Sequence, residues 1–285
     1  MKVISRLQGG LGNQLFQYAA ARALALRLGA QVEFDVSALK LDQKRRFELH
    51  AFRFPSTLRI ASHSDGRRRH PLSRWLNPRQ IVREKHFEYD PDIEKLDARS
   101  SVHLIGYWQT EKYFKSVEGQ IRSDLEFASS PDKPNAIMLE KIQAVPAVSV
   151  HFRRGDYVSE KHTAEYHGVP SMKYYHNAVD TVLDSVPDAT LFIFSDDPGW
   201  VRDHFHPRAP LTIVDINTPD QPASDLRLMA ACRHHILANS SFSWWGAWLN
   251  PDRAKIVVAP NRWFSGATSN TVDLLPPQWR TLEAD

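Results

Sequence analysis

Two adjacent arginines close an apolar run in Val148-Ser149-Val150-His151-Phe152-Arg153-Arg154-Gly155-Asp156. Guanidiniums at the end of a buried strand are costly unless an anion meets them. Their planar forks match a phosphate bidentately, which a lysine cannot do. The plainer reading pairs one arginine with Asp156 and leaves the other solvated. His151 and Asp156 are the titratable neighbours at the same strand end. Ligands of open α/β sheets bind at the carboxyl ends of strands, so this run predicts a phosphate clamp.

Three further segments carry polar groups at comparable places. Gly9-Gly10-Leu11-Gly12-Asn13-Gln14-Leu15 lies between a strand and a helix, where free N–H groups and the helix dipole favour an anion. It also reads as a dinucleotide fingerprint using Gly10, Gly12 and Asp35, although Leu15 replaces the third glycine. A tight turn requiring positive φ is the simplest account. Phe192-Ile193-Phe194-Ser195-Asp196-Asp197-Pro198 ends another apolar strand; one aspartate serves as a helix N-cap, and the spare groups suit a base or ribose hydroxyl. Asn239-Ser240-Ser241-Phe242-Ser243-Trp244-Trp245 opens a helix with small hydroxyls, either as N-caps or as a phosphate cradle. Trp248 reads as helix core, and Asp225 as a helix cap or a ligand of a sugar hydroxyl or base.

Two other signals read as ordinary structure. Asp90-Pro91-Asp92 has the Asp-x-Asp form of metal-dependent sugar-nucleotide enzymes, but a cap followed by proline is a common helix start. The run from Arg67 to Lys85 carries six arginines and one lysine against Glu84 alone. No aromatic stacking pattern or nucleic-acid motif accompanies it, so a solvated loop face is expected.

The elements that must position these groups alternate. Strand Lys2–Leu7 leads through the glycines to a helix over Asn13–Leu28, with Phe16, Ala19, Ala23 and Leu26 on its core face and Gln14, Tyr18 and Arg22 opposite. Gly29 closes that helix, and Gln31–Asp35 resumes as a strand. Residues 36–100 are weakly patterned and broken by prolines. Ser101–Trp108 is a strand, and Ser129–Pro134 a linker. Beyond it, strands at 147–152, 190–195, 212–215, 235–237 and 255–259 alternate with helices at 171–183, 198–204, 224–232 and 243–249. Such alternation predicts parallel sheets covered by helices.

Composition sets outer limits. With 285 residues, 42% hydrophobic, the chain has material for two cores of ordinary domain size and is not globally disordered. Short repeats and long heptad runs are lacking, as is any stretch near the ~18 apolar residues that span a bilayer. The single Cys232 excludes an internal disulfide, no Cys/His cluster has zinc spacing, and the first residues lack a secretory apolar core. A soluble protein of a reducing compartment is expected. The net charge of +3 permits phosphate-bearing ligands without requiring them.

In combination the motifs are more specific. Gly-Gly-Leu-Gly-Asn-Gln-Leu-Phe-Gln-Tyr (9–18), His-Phe-Arg-Arg-Gly-Asp (151–156), Phe-Ser-Asp-Asp (194–197) and Asn-Ser-Ser-Phe-Ser-Trp-Trp-Gly-Ala (239–247) resemble the bacterial α-1,2-fucosyltransferases of glycosyltransferase family 11. The resemblance runs in order and spacing from residue 4 to about residue 265 and includes Pro276-Pro277-x-Trp279. It implies an α/β fold of the GT-B type, with two Rossmann-like domains facing across a cleft: an acceptor-side domain at 1–130 and a GDP-fucose-binding domain at 131–285. It implies inverting, metal-independent transfer of L-fucose from GDP-β-L-fucose to the 2-hydroxyl of a galactose residue in a glycan acceptor. GDP-fucose is then a co-substrate and no cofactor is expected. Arg154 would contact the β-phosphate, supported by Arg153, Ser240, Ser241 and Ser243. Gly10 and Asn13 would face the sugar, with Gly9 beside them, while Asp196 and Asp225 would hold guanosine groups. Ser195, Asn239 and His151 complete the donor-binding set, and Arg154, Asn13, His151 and Asp156 the catalytic one; no general base is evident among them.

The expected partners are therefore GDP-fucose and a galactose-containing glycan, with no nucleic acid. A cytoplasmic location is expected, with the basic run at 67–85 touching the anionic inner membrane. Two rival readings remain: a dinucleotide-dependent oxidoreductase using Gly10, Gly12 and Asp35, and a non-catalytic polyanion-binding module centred on the basic run.

Overall fold

The structure, a computed structural model, describes residues 1–55, 59–61, 79–97, 99–155, 168–264 and 271–285. The chain divides into two compact units, Met1–Ser129 with Asn270–Leu274, and Ser130–Ser269 with Leu275–Asp285.

In the first unit, short apolar runs form strands β1 (Lys2–Arg6), β2 (Gln31–Asp35), β3 (Arg59–Ala61), β4 (Arg79–Arg83) and β5 (Ser101–Ile105). They make one parallel sheet in the order β3-β2-β1-β5-β4. The order reverses between β1 and β5, where Val3 pairs with Val102 and Ser5 with Leu104. Helix α1 (Leu11–Leu28) crosses from β1 to β2, and Gly29 ends it in the left-handed conformation at φ 60°. The short helices α2 (Ser37–Leu41) and α3 (Glu118–Asp124) complete the unit.

Helix α1 departs from the expected two-faced pattern. Gln14 and Tyr18 are fully buried, while Leu26, expected in the core, is 38% exposed. The polar side is covered because its groups find partners. Tyr18 Oη donates to Asp124 at 2.6 Å, Arg22 Nε reaches the same oxygen at 2.7 Å, and Gln120 takes the other. A buried carboxylate is tolerated when its lone pairs are filled in this way.

In the second unit, Asp132 caps helix α4 (Lys133–Gln143), an element absent from the sequence reading. The strands β6 (Ala147–Phe152), β7 (Thr190–Ser195), β8 (Leu211–Ile213), β9 (His234–Ile236), β10 (Val257–Pro260) and β11 (Arg280–Leu282) form a parallel sheet in the order β11-β10-β9-β6-β7-β8. Between them run α5 (Met172–Leu183), α6 (Pro198–His204), α7 (Pro222–Ala231) and α8 (Ser241–Leu249). Strand alternation divides two cores across this sheet. Val150, Phe152, Leu191 and Ile193 pack on α5, whereas Phe192 and Phe194 pack with Leu228 and Met229 of α7. Trp248 is buried as expected, stacked parallel to Trp244.

Candidate active site

The sheet order of the second unit brings the predicted motifs together. Strand β6 is flanked by β7 on one side and β9 on the other, and the chain reverses direction across the sheet at the β6–β9 pair. Such a switch point opens a crevice beyond the strands' carboxyl ends. Arg153 and Arg154 leave β6, Asp196 and Asp197 leave β7 at the level where Phe152 pairs with Ser195, and the Asn239–Ser241 turn follows β9.

The arginines are partnered by the aspartates after β7. Arg153 Nη1 sits 2.7 Å from Asp196 Oδ2, and the backbone N–H of Arg154 donates to Asp196 Oδ1 at 2.8 Å. Asp196, expected on guanosine, thus spends both oxygens on the arginine turn. A Cβ at Gly155 would lie 2.7 Å from Asp196 Oδ2, so glycine allows this close approach. Asp197 caps α6 by accepting from Trp200 N–H, and it lies 3.6 Å from Arg154 Nε. Ser195 Oγ accepts from Asp197 N–H and tightens the same turn. Asp156, the expected carboxylate partner, lies outside the described residues.

Trp200 is a residue that the sequence reading missed. The Arg154 guanidinium carbon lies 3.5 Å from the centre of its ring, and His204 stacks on Trp200 at 4.6 Å and 12°. This cation–π contact holds the guanidinium flat at the crevice. The Arg154 Nε is buried and makes no hydrogen bond. Beside it lies a cavity of about 210 Å³, lined by Phe152, Arg153, Arg154, Ser171, Tyr175 and Trp200 among others. One signal for Trp200 exists in the sequence: its place three residues beyond a capping aspartate.

His151 is buried beneath Phe242, with ring centres 5.6 Å apart. Burial, together with Arg153, lowers its pKa to about 4 despite Asp196, so its imidazole is neutral at pH 7. The cluster after β9 is partly committed to structure. Asn239 donates to the carbonyls of Gly168 and Trp263, Ser240 caps Phe242 N–H, and the fully buried Ser243 donates to the Ser240 carbonyl. Ser241 opens the helix half-buried. Asp225 is not a cap; it stands in the first turn of α7, where Asn217 Nδ2 donates to it at 2.7 Å. Burial raises the Asp225 pKa, and the Asn217 hydrogen bond opposes the rise. Asn217 and Asn135 exchange two amide hydrogen bonds, linking Asp225 to α4.

In the first unit the glycine-rich turn follows β1, at that sheet's own switch point. Gly9 has φ 75°, as the tight-turn reading requires, and Gly10 is the N-cap position. Gln17 joins this turn to the one after β5, accepting from Gln8 N–H and donating to the Gly106 carbonyl. Gln109 Nε2 donates to Asn13 Oδ1 at 2.8 Å. The turn that delivers Gln109 is unusual. Trp108 has φ 59°, and Glu84 receives both the Tyr107 and Trp108 N–H groups, at 2.6 and 2.7 Å. Glu84, the single acid in the basic run, therefore faces inward. At the helix start the Leu11 N–H donates to the Glu48 carboxylate. Asp35, which the dinucleotide reading would place on a ribose, accepts from Ser37 N–H and lies 3.4 Å from His103.

Asp90 caps the turn Pro91–Lys95 as expected, and no group of His, Cys, Asp or Glu among the described residues could hold a metal ion. No described helix is long and apolar enough to cross a membrane. Residues 67–78 of the basic run lie outside the described residues.

Two parallel-sheet α/β units, each with its motifs at a switch point, define a fold of the GT-B type. The family described as Glycosyl transferase family 11 matches residues 2–283, and the chain belongs to that family. It is 30% identical to an alpha-1,2-colitosyltransferase of Escherichia coli over 99% of both chains. It is 31% identical to the Escherichia coli O-antigen biosynthesis glycosyltransferase WbnK over 98% of this chain and 99% of that one. A galactoside 2-alpha-L-fucosyltransferase of Caenorhabditis elegans is 24% identical over 96% of this chain and 77% of its own. Among solved structures, the NodZ alpha-1,6-fucosyltransferase soaked with GDP-fucose matches with a TM-score of 0.52 at 14% identity, covering 88% of this chain and 92% of that one. The protein is a glycosyltransferase, and the oxidoreductase and polyanion-module readings give way to that assignment.

Proposed function

We propose that this enzyme transfers L-fucose from GDP-β-L-fucose to the 2-hydroxyl of a galactose residue in a glycan acceptor, with inversion and without a metal. The observation that carries the reading is the arginine pair at the β6 carboxyl end, braced by Asp196, Asp197 and Trp200. Breaking the sugar–phosphate bond builds negative charge on the diphosphate and positive charge on the sugar ring. Fixed guanidiniums and N–H groups meet that charge without reorganising, which is where most transition-state stabilisation arises.

In this reading Arg154 contacts the β-phosphate, and Arg153 with Ser240 and Ser241 supports it. Ser243 backs them from within the helix, and Asp225 holds guanosine. The first unit presents the acceptor, with Gly10 and Asn13 toward the sugar. Work in the cytoplasm at an anionic membrane surface belongs to the same reading.

Colitosyl transfer is the second reading, favoured by the 30% identical relative of that name. Colitose is L-fucose without its 3-hydroxyl, so one donor pocket must either bond that hydroxyl or ignore it. The test is incubation with GDP-fucose or GDP-colitose and a panel of galactose-terminated acceptors in excess EDTA, followed by linkage analysis. An α-1,2-linked fucose supports the first reading. Preference for colitose supports the second, and activity only after added Mg²⁺ or Mn²⁺ refutes metal independence.

A further inference from the structure

The cavity beside Arg154 has walls that phosphate binding does not explain. It measures about 210 Å³, and apart from the arginines and Ser171 its walls are Phe152, Val169, Pro170, Met172, Tyr175 and Trp200. The polar groups of these walls are turned to other partners. Tyr175 Oη donates to the His151 carbonyl at 3.0 Å, and its ring stacks on Phe152 with centres 3.9 Å apart. Ser171 Oγ accepts from the Tyr174 N–H at 3.1 Å and so caps α5. Arg153 is drawn to Asp196, and Arg154 lies flat on Trp200. A hydroxyl placed against Val169, Pro170 and Met172 therefore meets side chains with no strong donor or acceptor. Burying it there costs free energy that burying a methyl group does not.

The cavity lies on one face of the second sheet, and the residue read as holding guanosine lies on the other. Along β6, Val150 and Phe152 point to the α5 face, whereas His151 points to the face of Phe194, Phe242 and α7. Asp225 stands on α7. Arg153 and Arg154 follow β6 directly and line the cavity. With guanosine on Asp225 and the diphosphate on the arginines, the α7 face is filled and the cavity is left for the group beyond the β-phosphate. In a GDP-sugar that group is the hexose.

Resting on the glycosyl-transfer reading above, we propose that this cavity receives the C5–C6 edge of the donor hexose and selects a 6-deoxy sugar, with Val169 and Met172 against its methyl group. L-Fucose and colitose both carry that methyl, so the selection holds for either donor. The sugar it rejects is the same hexose with a hydroxyl at C6, which for L-fucose is L-galactose.

The test compares GDP-L-fucose, GDP-L-galactose and GDP, by turnover and calorimetric titration, in the wild type, Val169→Thr and Met172→Gln. The wild type should favour GDP-L-fucose over GDP-L-galactose by about 10² in kcat/KM. Each substitution puts a hydrogen-bonding group on the wall and should narrow that preference about fivefold, through better use of GDP-L-galactose. GDP affinity should not change, because GDP lacks the hexose. Val169 is 38% exposed and threonine has nearly its shape, so Val169→Thr should melt with the wild type even where Met172→Gln does not. A wild type that uses the two sugars alike overturns the proposal, as does an unchanged preference in Val169→Thr. A variant that slows both donors equally, or weakens GDP itself, also overturns it. A wild type that binds GDP-L-fucose while its preference ignores C6 overturns this proposal alone; one that binds no GDP-sugar overturns the functional reading as well.

Discussion

Gly155→Ala puts the arginine turn under a measurable steric load. The new Cβ would stand 2.7 Å from Asp196 Oδ2 and 3.2 Å from its Cγ, where ordinary contact begins at 3.4 Å. Closing that gap moves the carboxylate by about 0.7 Å, and van der Waals repulsion compels the move. The oxygen displaced is the one 2.7 Å from Arg153, and its twin holds the Arg154 N–H at 2.8 Å. Losing a hydrogen bond to a charged acceptor costs roughly 1.5–3 kcal/mol. The partly exposed ion pair adds up to about 1 kcal/mol after solvent screening. A total near 3 kcal/mol lowers the melting temperature by roughly 6–12 °C at this size. Misplacing the guanidiniums by comparable distances costs up to about 10² in turnover. Thermal unfolding and steady-state kinetics on the folded variant read both effects. Unchanged melting and turnover would refute the claim that Asp196 aims the arginines.

Other perturbations test separate parts of the site. Trp200→Ala removes the stack under Arg154, worth about 0.5–1 kcal/mol, so GDP affinity should fall two- to fivefold while Trp200→Phe retains most of it; equal affinities in a titration would count against the stack. His151 has a folded pKa of about 4 against 6.5 unfolded, so the unfolded chain binds more protons between those values. Its contribution is therefore fully present above pH 6.5 and is lost as pH falls toward 4, on the order of 2 kcal/mol between pH 7 and 5. His235, also held well below 6.5 by burial, acts with the same sign. Urea unfolding at the two pH values should show this loss, smaller in His151→Gln; an identical loss would refute the neutral buried assignment. Tyr18→Phe leaves Asp124 with Arg22 and Gln120 but without its shortest partner, and should cost about 1 kcal/mol in the same assay.

The central strands were legible because burial on both faces makes them continuous apolar runs, as in Ala147–Phe152 and Thr190–Ser195. The polar residues that end those runs stood out as candidates for the same reason, and the sheet brings those after β6 and β7 side by side. Of the edge strands, β8 was legible at 212–215, but β3, β4 and β11 were not. In β3 and β4, Ile60 and Ile81 are 54% and 58% exposed and each strand begins with an arginine, so no apolar pattern stands out. Helix α4 was hidden by its own start signals: Asp132 caps it and Pro134 lies in its first turn, yet Asp, Lys and Pro also compose a linker. The two-face reading of α1 failed because Tyr18 and Gln14 find partners brought by Asp124 and the segment near Arg46, over 30 residues away. Pairing of Arg153 and Arg154 with Asp196 and Asp197 depends on β6 lying beside β7, which no local pattern encodes.

The central claim is that the second unit binds a guanosine diphosphate sugar through Arg154. Calorimetric titration of GDP into the wild type and Arg154→Ala tests it most directly. The account predicts saturable binding by the wild type and a loss of 1.5–3 kcal/mol or so, roughly 10- to 150-fold in affinity, in a variant that still folds. Equal GDP affinity in the two proteins, or none in the wild type, would contradict it.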